Sequence, residues 1–276
     1  MAATPTPQAY VMGHTDHERR RLSLQARALN PLTQEFLGRA GITAGMRVLD
    51  LGCGVGEVSA IAASLVGSSG SVTGVDFDAG ALALAEEHAR LAGLDHVRFV
   101  QGNVGEFAEG APYDAVVGRL ILIHVPDAYA LVKHAASLVR SGGTVAFQDY
   151  DLSRSFPSFP QKPLRDRFTS YFVELFTRAT AAADVGMRIS YYLVNAGLEA
   201  PQCRAEILME GGSDSIFYEW IAETVRGLAP KLEALGIVTV AELDLDTLAD
   251  RLRQEAIEIG GCVSGPIMVS AAARKP

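Results

Sequence analysis

The sequence has little cysteine and an excess of acidic over basic charge. Its 276 residues include three cysteines, Cys53, Cys203 and Cys262. Their odd number and wide separation exclude a disulfide framework or a zinc knuckle, and favour a reducing compartment such as the cytoplasm. Lys and Arg number 24 against 32 Asp and Glu, for a net charge of −8. A protein that coats nucleic acid needs clustered basic residues, so no nucleic-acid partner is expected.

Long apolar runs are missing as well. Residues 58–75 carry no charge, but Gly67 and Gly70 stand in the middle of the stretch. This pattern predicts a helix, a turn and a strand rather than a membrane span. Residues 1–8 are small and rich in proline and lack the apolar core of a signal peptide. We therefore expect no membrane partner and no targeting segment.

The middle of the chain alternates short apolar runs with helical patterns, which is typical of a parallel sheet with crossover helices. The prediction is an α/β fold with a doubly wound, mostly parallel, seven-stranded sheet. The predicted strands are 46–51, 71–76, 96–101, 114–118, 144–148, 202–209 and 267–271. The predicted helices are 15–40 with a break at Asn30-Pro31, 57–66, 79–92, 127–139, 165–183, 214–228 and 240–259.

These elements predict a single domain over residues 1–276 with surplus length outside the sheet. Residues 1–40 are assigned to an N-terminal helical lid and 41–150 to a cofactor-binding core. Helical patterns after the fifth and sixth strands predict cap insertions, and the remaining segments are the closing strands. The insertions are 151–201 and 212–262, and the closing strands lie in 202–211 and 263–276. Substrate choice is expected to depend on the lid and the insertions.

A glycine-rich turn follows the first predicted strand, at Gly52-Cys53-Gly54-Val55-Gly56. Glycines there let a ligand approach the backbone at a helix N-terminus. The dinucleotide fingerprint requires a further glycine where this chain has Glu57. That carboxylate would oppose a pyrophosphate and suit a cationic sulfonium, which favours S-adenosylmethionine over NAD. Asp76 lies 20 positions after Gly56, a spacing that fits an acidic ribose ligand. A nicotinamide-dependent oxidoreductase remains the alternative enzyme.

Four segments in order resemble the motifs of class I S-adenosylmethionine-dependent methyltransferases. They are residues 48–56, 74–78, 101–104 and 113–127. The last segment resembles the small-molecule branch related to quinone-ring and bacterial natural-product methyltransferases. The resemblance covers about residues 41–148 and implies a Rossmann-like fold, S-adenosylmethionine as cofactor, S-adenosylhomocysteine as product and no metal. It also implies methyl transfer to a carbon, nitrogen or oxygen of a small aromatic or heterocyclic metabolite, with an indole-like or quinone-like ring as the preferred acceptor.

The resemblance also implies residue roles on the cofactor. Gly52 and Gly54, with the small Cys53 between them, would cradle the methionine portion, and Asp76 would bind the ribose. The remaining roles concern the adenine and the ammonium group: Phe77 would pack on the adenine, Asn103 and the Val104 amide would read its edge, and Gly118 would offer a carbonyl to the ammonium. Family members more often carry Asp where this chain has Asn103.

Catalytic groups are sought at the same rim of the sheet. Holding an acceptor in line with a methyl sulfonium supplies much of the acceleration, and a base is needed only where the acceptor must lose a proton early. The candidates are Arg119, His124 and Asp149. A surface salt bridge, a packing histidine and a helix cap are their respective non-catalytic interpretations.

Two further candidates lie in the N-terminal segment. Tyr10 and His14 would close over the sulfonium, or else belong to a mobile tail. The aromatic face from Phe168 to Phe176 is interpreted as core or dimer contact, and a homodimer is left open. A non-catalytic protein that only binds the cofactor is the second alternative function.

Overall fold

The computed structural model describes residues 16–154, 158–179 and 183–276. The strands are β1 (Arg47–Leu51), β2 (Ser71–Asp76), β3 (Val97–Gln101), β4 (Tyr113–Arg119), β5 (Val139–Asp151), β6 (Ser158–Phe159), β7 (Gln202–Gly211) and β8 (Cys262–Arg274). The helices are α1 (Asp16–Arg39), α2 (Glu57–Val66), α3 (Ala79–Leu91), α4 (Ala128–Leu138), α5 (Pro163–Ala179), α6 (Val185–Asn195), α7 (Phe217–Ala234), α8 (Val240–Leu243) and α9 (Leu248–Ile259). A short 3-10 helix spans Leu122–His124.

The strands form one mixed sheet with the order β3-β2-β1-β4-β5-β8. Strands β1 to β5 run parallel, β8 is antiparallel to β5, and both β7 and the short β6 pair antiparallel with β8. The predicted mostly parallel α/β sheet is confirmed. The described residues add an eighth strand to the predicted seven, because β6 has only two residues and leaves no period to detect.

Each face of the sheet is covered by its own apolar layer. In β1, Val48 packs into one layer with Val58 of α2, while the next residue, Leu49, packs into the other with Val132 of α4. Successive side chains of a strand point to opposite faces, so a strand covered on both sides reads as a continuous apolar run. This is why β1 could be predicted from sequence alone.

Several helix predictions differ from the structure. Helix α6 was not predicted, and α7 continues to Ala234, beyond its predicted end at residue 228. Helix α1 continues through Pro31 without the expected break. Apolar residues are buried on both sides of the proline, among them Leu29 and Phe36, and this burial outweighs the roughly 3 kcal/mol penalty of an interior proline. The helix predicted over 240–259 is divided into α8 and α9, because Asp244 adopts a left-handed conformation at φ 46° and ends α8.

The parallel strands bring four connecting segments to one edge of the sheet. The carboxyl ends of β1, β2, β4 and β5 are followed by the glycine turn, by Phe77, by the segment leading to the 3-10 helix, and by the segment after Asp151. Helix α1 and the later helix α7 pack against each other above this edge. No helix in the described part of the chain is long and apolar enough to cross a bilayer.

Candidate functional site

A cavity of about 490 Å³ opens at the carboxyl edge of the sheet. One part of its wall is formed by the glycine turn and the end of β2, and another by α1, α5, α7 and the start of β8. Predicted site residues that line it are Gly52, Cys53, Gly54, Asp76, Phe77, Arg119 and His124. Ligand sites of open α/β sheets lie at this edge, so the cavity is the candidate functional site.

The glycine turn is shaped by backbone conformations that other residues adopt with strain. Gly52 has φ 72° and Gly54 has φ 51°. A Cβ on Gly52 would lie 2.6 Å from Cδ1 of Ile121, whereas one on Gly54 would meet no atom within 4 Å. Gly52 therefore allows close packing within the protein, and Gly54 leaves room on the cavity side for a ligand to approach the backbone.

Asp76 ends β2 and is held by the same turn. Its Oδ2 accepts a hydrogen bond from the Gly54 amide at 2.9 Å, and its Oδ1 accepts one from the Asp78 amide at 3.0 Å. The side chain is buried yet lines the cavity. A fixed carboxylate at this place can accept further hydrogen bonds from ligand hydroxyl groups, because each of its oxygens has two acceptor positions.

Three more carboxylates line the cavity with Asp76, namely Glu57, Asp78 and Glu87, whereas Glu18 lines it as the ion-pair partner of Arg21. This acidic wall suits the ammonium and sulfonium charges of S-adenosylmethionine better than the negative pyrophosphate of a dinucleotide. The open space at Gly54 and the fixed Asp76 carboxylate supply the remaining features that the cofactor needs. The described residues therefore fit S-adenosylmethionine, with Gly52, Gly54 and Asp76 as its proposed contacts.

Arg119, the last residue of β4, is joined to α1 by a polar network. Its Nη1 donates to Asn30 Oδ1 at 3.0 Å and to Thr33 Oγ1 at 2.9 Å. Asn30 Nδ2 donates in turn to Glu57 Oε2 at 2.6 Å, and Thr33 Oγ1 to Gln148 Oε1 at 2.7 Å. Arg119 is thus not the surface ion pair of the alternative interpretation. It connects α1 to the sheet at the cavity wall.

His124 closes the 3-10 helix and lines the cavity. Burial lowers its pKa to about 4, and the positive charges of Arg21 and Lys231 act in the same direction. The imidazole is therefore neutral near pH 7. A neutral imidazole can accept a hydrogen bond from a bound molecule, whereas the lowered pKa opposes its taking up a proton.

Asp149 does not line the cavity as the described residues form it. Its Oδ2 accepts from the amides of Leu122 and Ile123 at 2.9 and 3.3 Å, and its Oδ1 from the Tyr150 amide at 2.9 Å. Full burial raises its pKa to about 7, against the lowering effect of those amides. The bonds to the amides of Leu122 and Ile123, in the 3-10 helix, match the helix-capping interpretation. Side chains alternate along β5, so Asp149 and Tyr150 point to opposite faces of the sheet. Tyr150 is the one that lines the cavity.

The far part of the cavity is apolar and aromatic. Its lining includes Leu152, Phe172, Phe176, Phe217, Trp220, Ile221 and Leu228. Phe172 is buried in the main apolar core and Phe176 packs against it, in agreement with the core interpretation, and both side chains also line the cavity. Sequence analysis also missed the lining face of α7. Its apolar residues recur every three or four positions, as they do in any helix packed on a core.

Three other predicted cofactor residues are not among those that line the cavity. Asn103 Oδ1 accepts from the Gly105 amide at 3.0 Å, and Val104 lies in the same turn after β3. Gly118 is buried, and a Cβ there would lie 2.8 Å from Cε1 of Phe147. Their roles on adenine and ammonium stay predictions. Tyr10 and His14 fall outside the described residues.

The cysteines and acidic groups show no sign of redox or metal chemistry in the described segments. All three cysteines are free, and burial raises the pKa of Cys53, with the charges of Asp50 and Asp76 adding to the effect. Its thiol is therefore protonated and acts as a small side chain in the turn. Within residues 16–154, 158–179 and 183–276, no group of three or more potential ligands is arranged to hold a metal.

Comparisons with known proteins agree with this geometry. A family model described as "Methyltransferase domain" matches residues 42–209, more than half of the chain. The ubiquinone biosynthesis O-methyltransferase of Aromatoleum aromaticum is 32% identical over 179 residues, which are 63% of this chain and 73% of that protein. The protein of the same name from Cronobacter sakazakii is 39% identical over 122 residues, 43% of this chain and 49% of its own length.

The chain spans about half the length of several such curated relatives. Among solved structures, a putative sarcosine dimethylglycine methyltransferase from Galdieria sulphuraria has the same fold. Its TM-score is 0.55 at 15% identity, over 97% of this chain and 93% of that one. With its sheet order, its glycine turn and its match over residues 42–209, the chain belongs to the methyltransferase-domain family, the class I S-adenosylmethionine-dependent methyltransferases.

Proposed function

We propose that this protein transfers a methyl group from S-adenosylmethionine to a small aromatic or heterocyclic metabolite. The observation that carries the proposal is a single cavity that joins an acidic wall beside the glycine turn to an apolar wall of aromatic side chains. Flat apolar rings are bound well by such walls, because aromatic side chains bury a large area and favour stacked or edge-to-face contacts. The bound cofactor supplies an electrophilic methyl group.

The chain's own residues position the acceptor. Phe172 and Phe176 of α5 and Trp220 of α7 supply an apolar surface against which a ring can lie. His124 is neutral near pH 7, and its lowered pKa makes it a weak base, so its proposed role is to orient a hydroxyl or ring N–H of the acceptor by accepting a hydrogen bond. The relatives are named as O-methyltransferases of ubiquinone biosynthesis, so a phenolic oxygen is the first acceptor to test. Indole carbon and nitrogen acceptors come next.

The direct test is mass spectrometry of a panel of catechols, hydroquinones, indoles and anilines incubated with S-adenosylmethionine bearing a trideuterated methyl group. Transfer of the labelled methyl to a panel member is the expected result. His124→Asn should retain S-adenosylhomocysteine binding while product formation falls for hydroxyl acceptors. Binding of the cofactor without label transfer to any class of the panel would favour the alternative of a non-catalytic binding protein.

Ligand-induced shifts in melting temperature distinguish a methyltransferase from the other alternative, a nicotinamide-dependent oxidoreductase. Stabilisation by S-adenosylhomocysteine and none by NAD or NADH is expected, because Glu57 stands where a dinucleotide site needs glycine. The reverse pattern would contradict the proposal. We also propose a reducing cytoplasm as the compartment, on the three free cysteines, and leave a homodimer to be tested by light scattering.

A further inference from the structure

A group of hydrogen-bond donors without acceptors lies at the ends of β4 and β5. Arg119 and Gln148 are register partners on these neighbouring strands, and Tyr150 follows two positions later on the same face of β5. The Gln148 Nε2 and the Tyr150 hydroxyl are both buried, and neither has a hydrogen-bond partner among the described residues. Buried polar atoms of this kind are rare in proteins, so each one needs an explanation.

Arg119 adds further unused donors at the same place. Its two hydrogen bonds within the described chain both come from Nη1, which leaves Nε and Nη2 without an acceptor there. No carboxylate of the described residues lies within ion-pair distance of the guanidinium, although Asp50 and Glu57 act on it over a longer range. A partly buried guanidinium needs a negative partner, because unpaired charge is costly to bury.

The position of Arg119 indicates which negatively charged group could bind its guanidinium. It follows Gly118 on β4, and β4 pairs with β1 just before the glycine turn, with Val117 opposite Asp50. Asn30 bridges Arg119 to Glu57 at the start of α2, beside the same turn. By the family resemblance, the methionine portion of the cofactor lies over this turn. Its ammonium and sulfonium have acidic partners in the cavity wall, while its carboxylate needs donors.

We propose that Arg119, together with the Tyr150 hydroxyl, binds the methionine carboxylate of the cofactor. This contact also couples cofactor binding to the stability of α1 in its position against the sheet. The coupling follows from the shared guanidinium. Nη1 is held by Asn30 and Thr33 of α1, and the free edge faces the ligand. A carboxylate bound to that edge fixes the orientation of the guanidinium plane. The hydrogen bonds from Nη1 to Asn30 and Thr33 are strengthened as a result. The proposal concerns the cofactor and does not depend on the acceptor.

Calorimetry with two ligands tests the carboxylate contact. The probes are S-adenosylhomocysteine and its decarboxylated analogue, 5′-(3-aminopropyl)thioadenosine. The native protein should bind the former about tenfold to a hundredfold more tightly, the usual effect of a charge-assisted hydrogen bond. Arg119→Met should remove most of this preference, and Tyr150→Phe should reduce it. Arg119→Lys should restore part of it, because the charge is kept while the planar fork is lost.

The ratio of the two affinities distinguishes loss of the carboxylate contact from misfolding, because a misfolded site would bind both ligands more weakly. Arg98→Met is the matched control, because Arg98 pairs with Glu109 outside the cavity and its loss should leave the ratio unchanged. An unchanged ratio in Arg119→Met would overturn the proposal, because it would show that Arg119 does not bind the carboxylate. Failure of the native protein to bind either ligand would instead contradict the cofactor assignment.

Hydrogen exchange tests the coupling to α1. The amides of residues 28–36 should be protected more by S-adenosylhomocysteine than by the decarboxylated analogue at equal occupancy. Thr33→Val removes the hydroxyl that accepts from Arg119 and donates to Gln148, with little change in side-chain size. It should reduce this difference while the affinity ratio persists. Equal protection by both ligands in the native protein would show that the carboxylate does not act on α1.

Discussion

At the glycine turn, Gly52 and Gly54 share a left-handed backbone but differ in what a side chain would meet. Around Gly52 the space is filled by Ile121, whereas Gly54 faces the open cavity. One glycine is therefore required by packing within the protein, and the other leaves open space on the cavity side, where we propose that the cofactor binds. Sequence spacing alone could not separate these two reasons, since both residues belong to one motif.

Alanine substitutions at the two positions should have separable effects. Gly52→Ala should lower the free energy of unfolding by about 2–5 kcal/mol, from backbone strain and overlap with Ile121. Gly54→Ala should lower it by only about 1–2 kcal/mol, and should weaken S-adenosylhomocysteine binding by at least about tenfold. Denaturant titration and calorimetry measure the two effects. Equal losses of stability would contradict the distinction.

Asp76 is the residue on which the ribose assignment depends. Asp76→Asn should weaken S-adenosylhomocysteine binding by roughly 1.5–3 kcal/mol, the value of hydrogen bonds to a charged group. Asp95→Asn is the control, since Asp95 is an exposed carboxylate in the turn before β3. Binding that is the same in native protein and in Asp76→Asn would mean that the ribose lies elsewhere.

At the scale of elements, α1 is attached to α7 and to the sheet in two ways. His17 and Arg20 lie 3.0 Å from Glu223 and Glu219 of α7, with Arg20 more than half exposed. Apolar residues such as Leu29 are buried in the main core. Exposed ion pairs contribute little because water screens them and long side chains lose freedom. The apolar face is therefore expected to hold α1 in place.

This difference can be measured by two substitutions in α1. Leu29→Ala should lower the free energy of unfolding by about 2–5 kcal/mol. Arg20→Ala should lower it by less than about 1 kcal/mol, and that small effect should vanish at high salt. If Arg20→Ala were the more damaging change, ion pairs rather than apolar burial would hold α1.

At the scale of the whole molecule, buried titratable groups make stability depend on pH in opposite directions. Burial raises the pKa of Asp149 to about 7 and that of Asp50 to about 6. Their contributions are full below about pH 4 and are lost as pH rises through the folded-state values. His124 has a pKa lowered to about 4, so its contribution is full above about pH 6.5 and is lost as pH falls.

Comparison of variants separates these contributions. Of the two buried carboxyl groups, Asp149 has the larger rise in pKa. The stability of Asp149→Asn relative to the native protein should therefore improve as pH rises from about 4 to about 7. Urea unfolding at several pH values gives the two curves. A curve for Asp149→Asn that runs parallel to that of the native protein would show that this carboxyl does not titrate in that range.

Patterns that span only a few residues were enough to predict the part of the chain that carries the methyltransferase motifs, about residues 41–148. The glycine turn, the apolar runs of β1 and β4 and the acid at the end of β2 are each encoded within a few residues, so the sequence by itself determined the sheet, the family and the position of Asp76. The exceptions are also physical. Helix α1 continues through Pro31 because apolar residues are buried on both sides of the proline. Strand β6 has only two residues, which is too short for a periodic pattern.

The apolar part of the cavity, where we propose that the acceptor binds, was decided by tertiary structure alone. Phe172, Trp220 and Ser264 come from α5, α7 and β8, and they meet at one cavity although their spacing in the chain is large. An apolar helical face has the same period whether it packs on a core or lines a pocket, because periodicity records which side is shielded from water and not what shields it. The same holds for Arg119, whose two bonds to α1 appear only once the chain has folded.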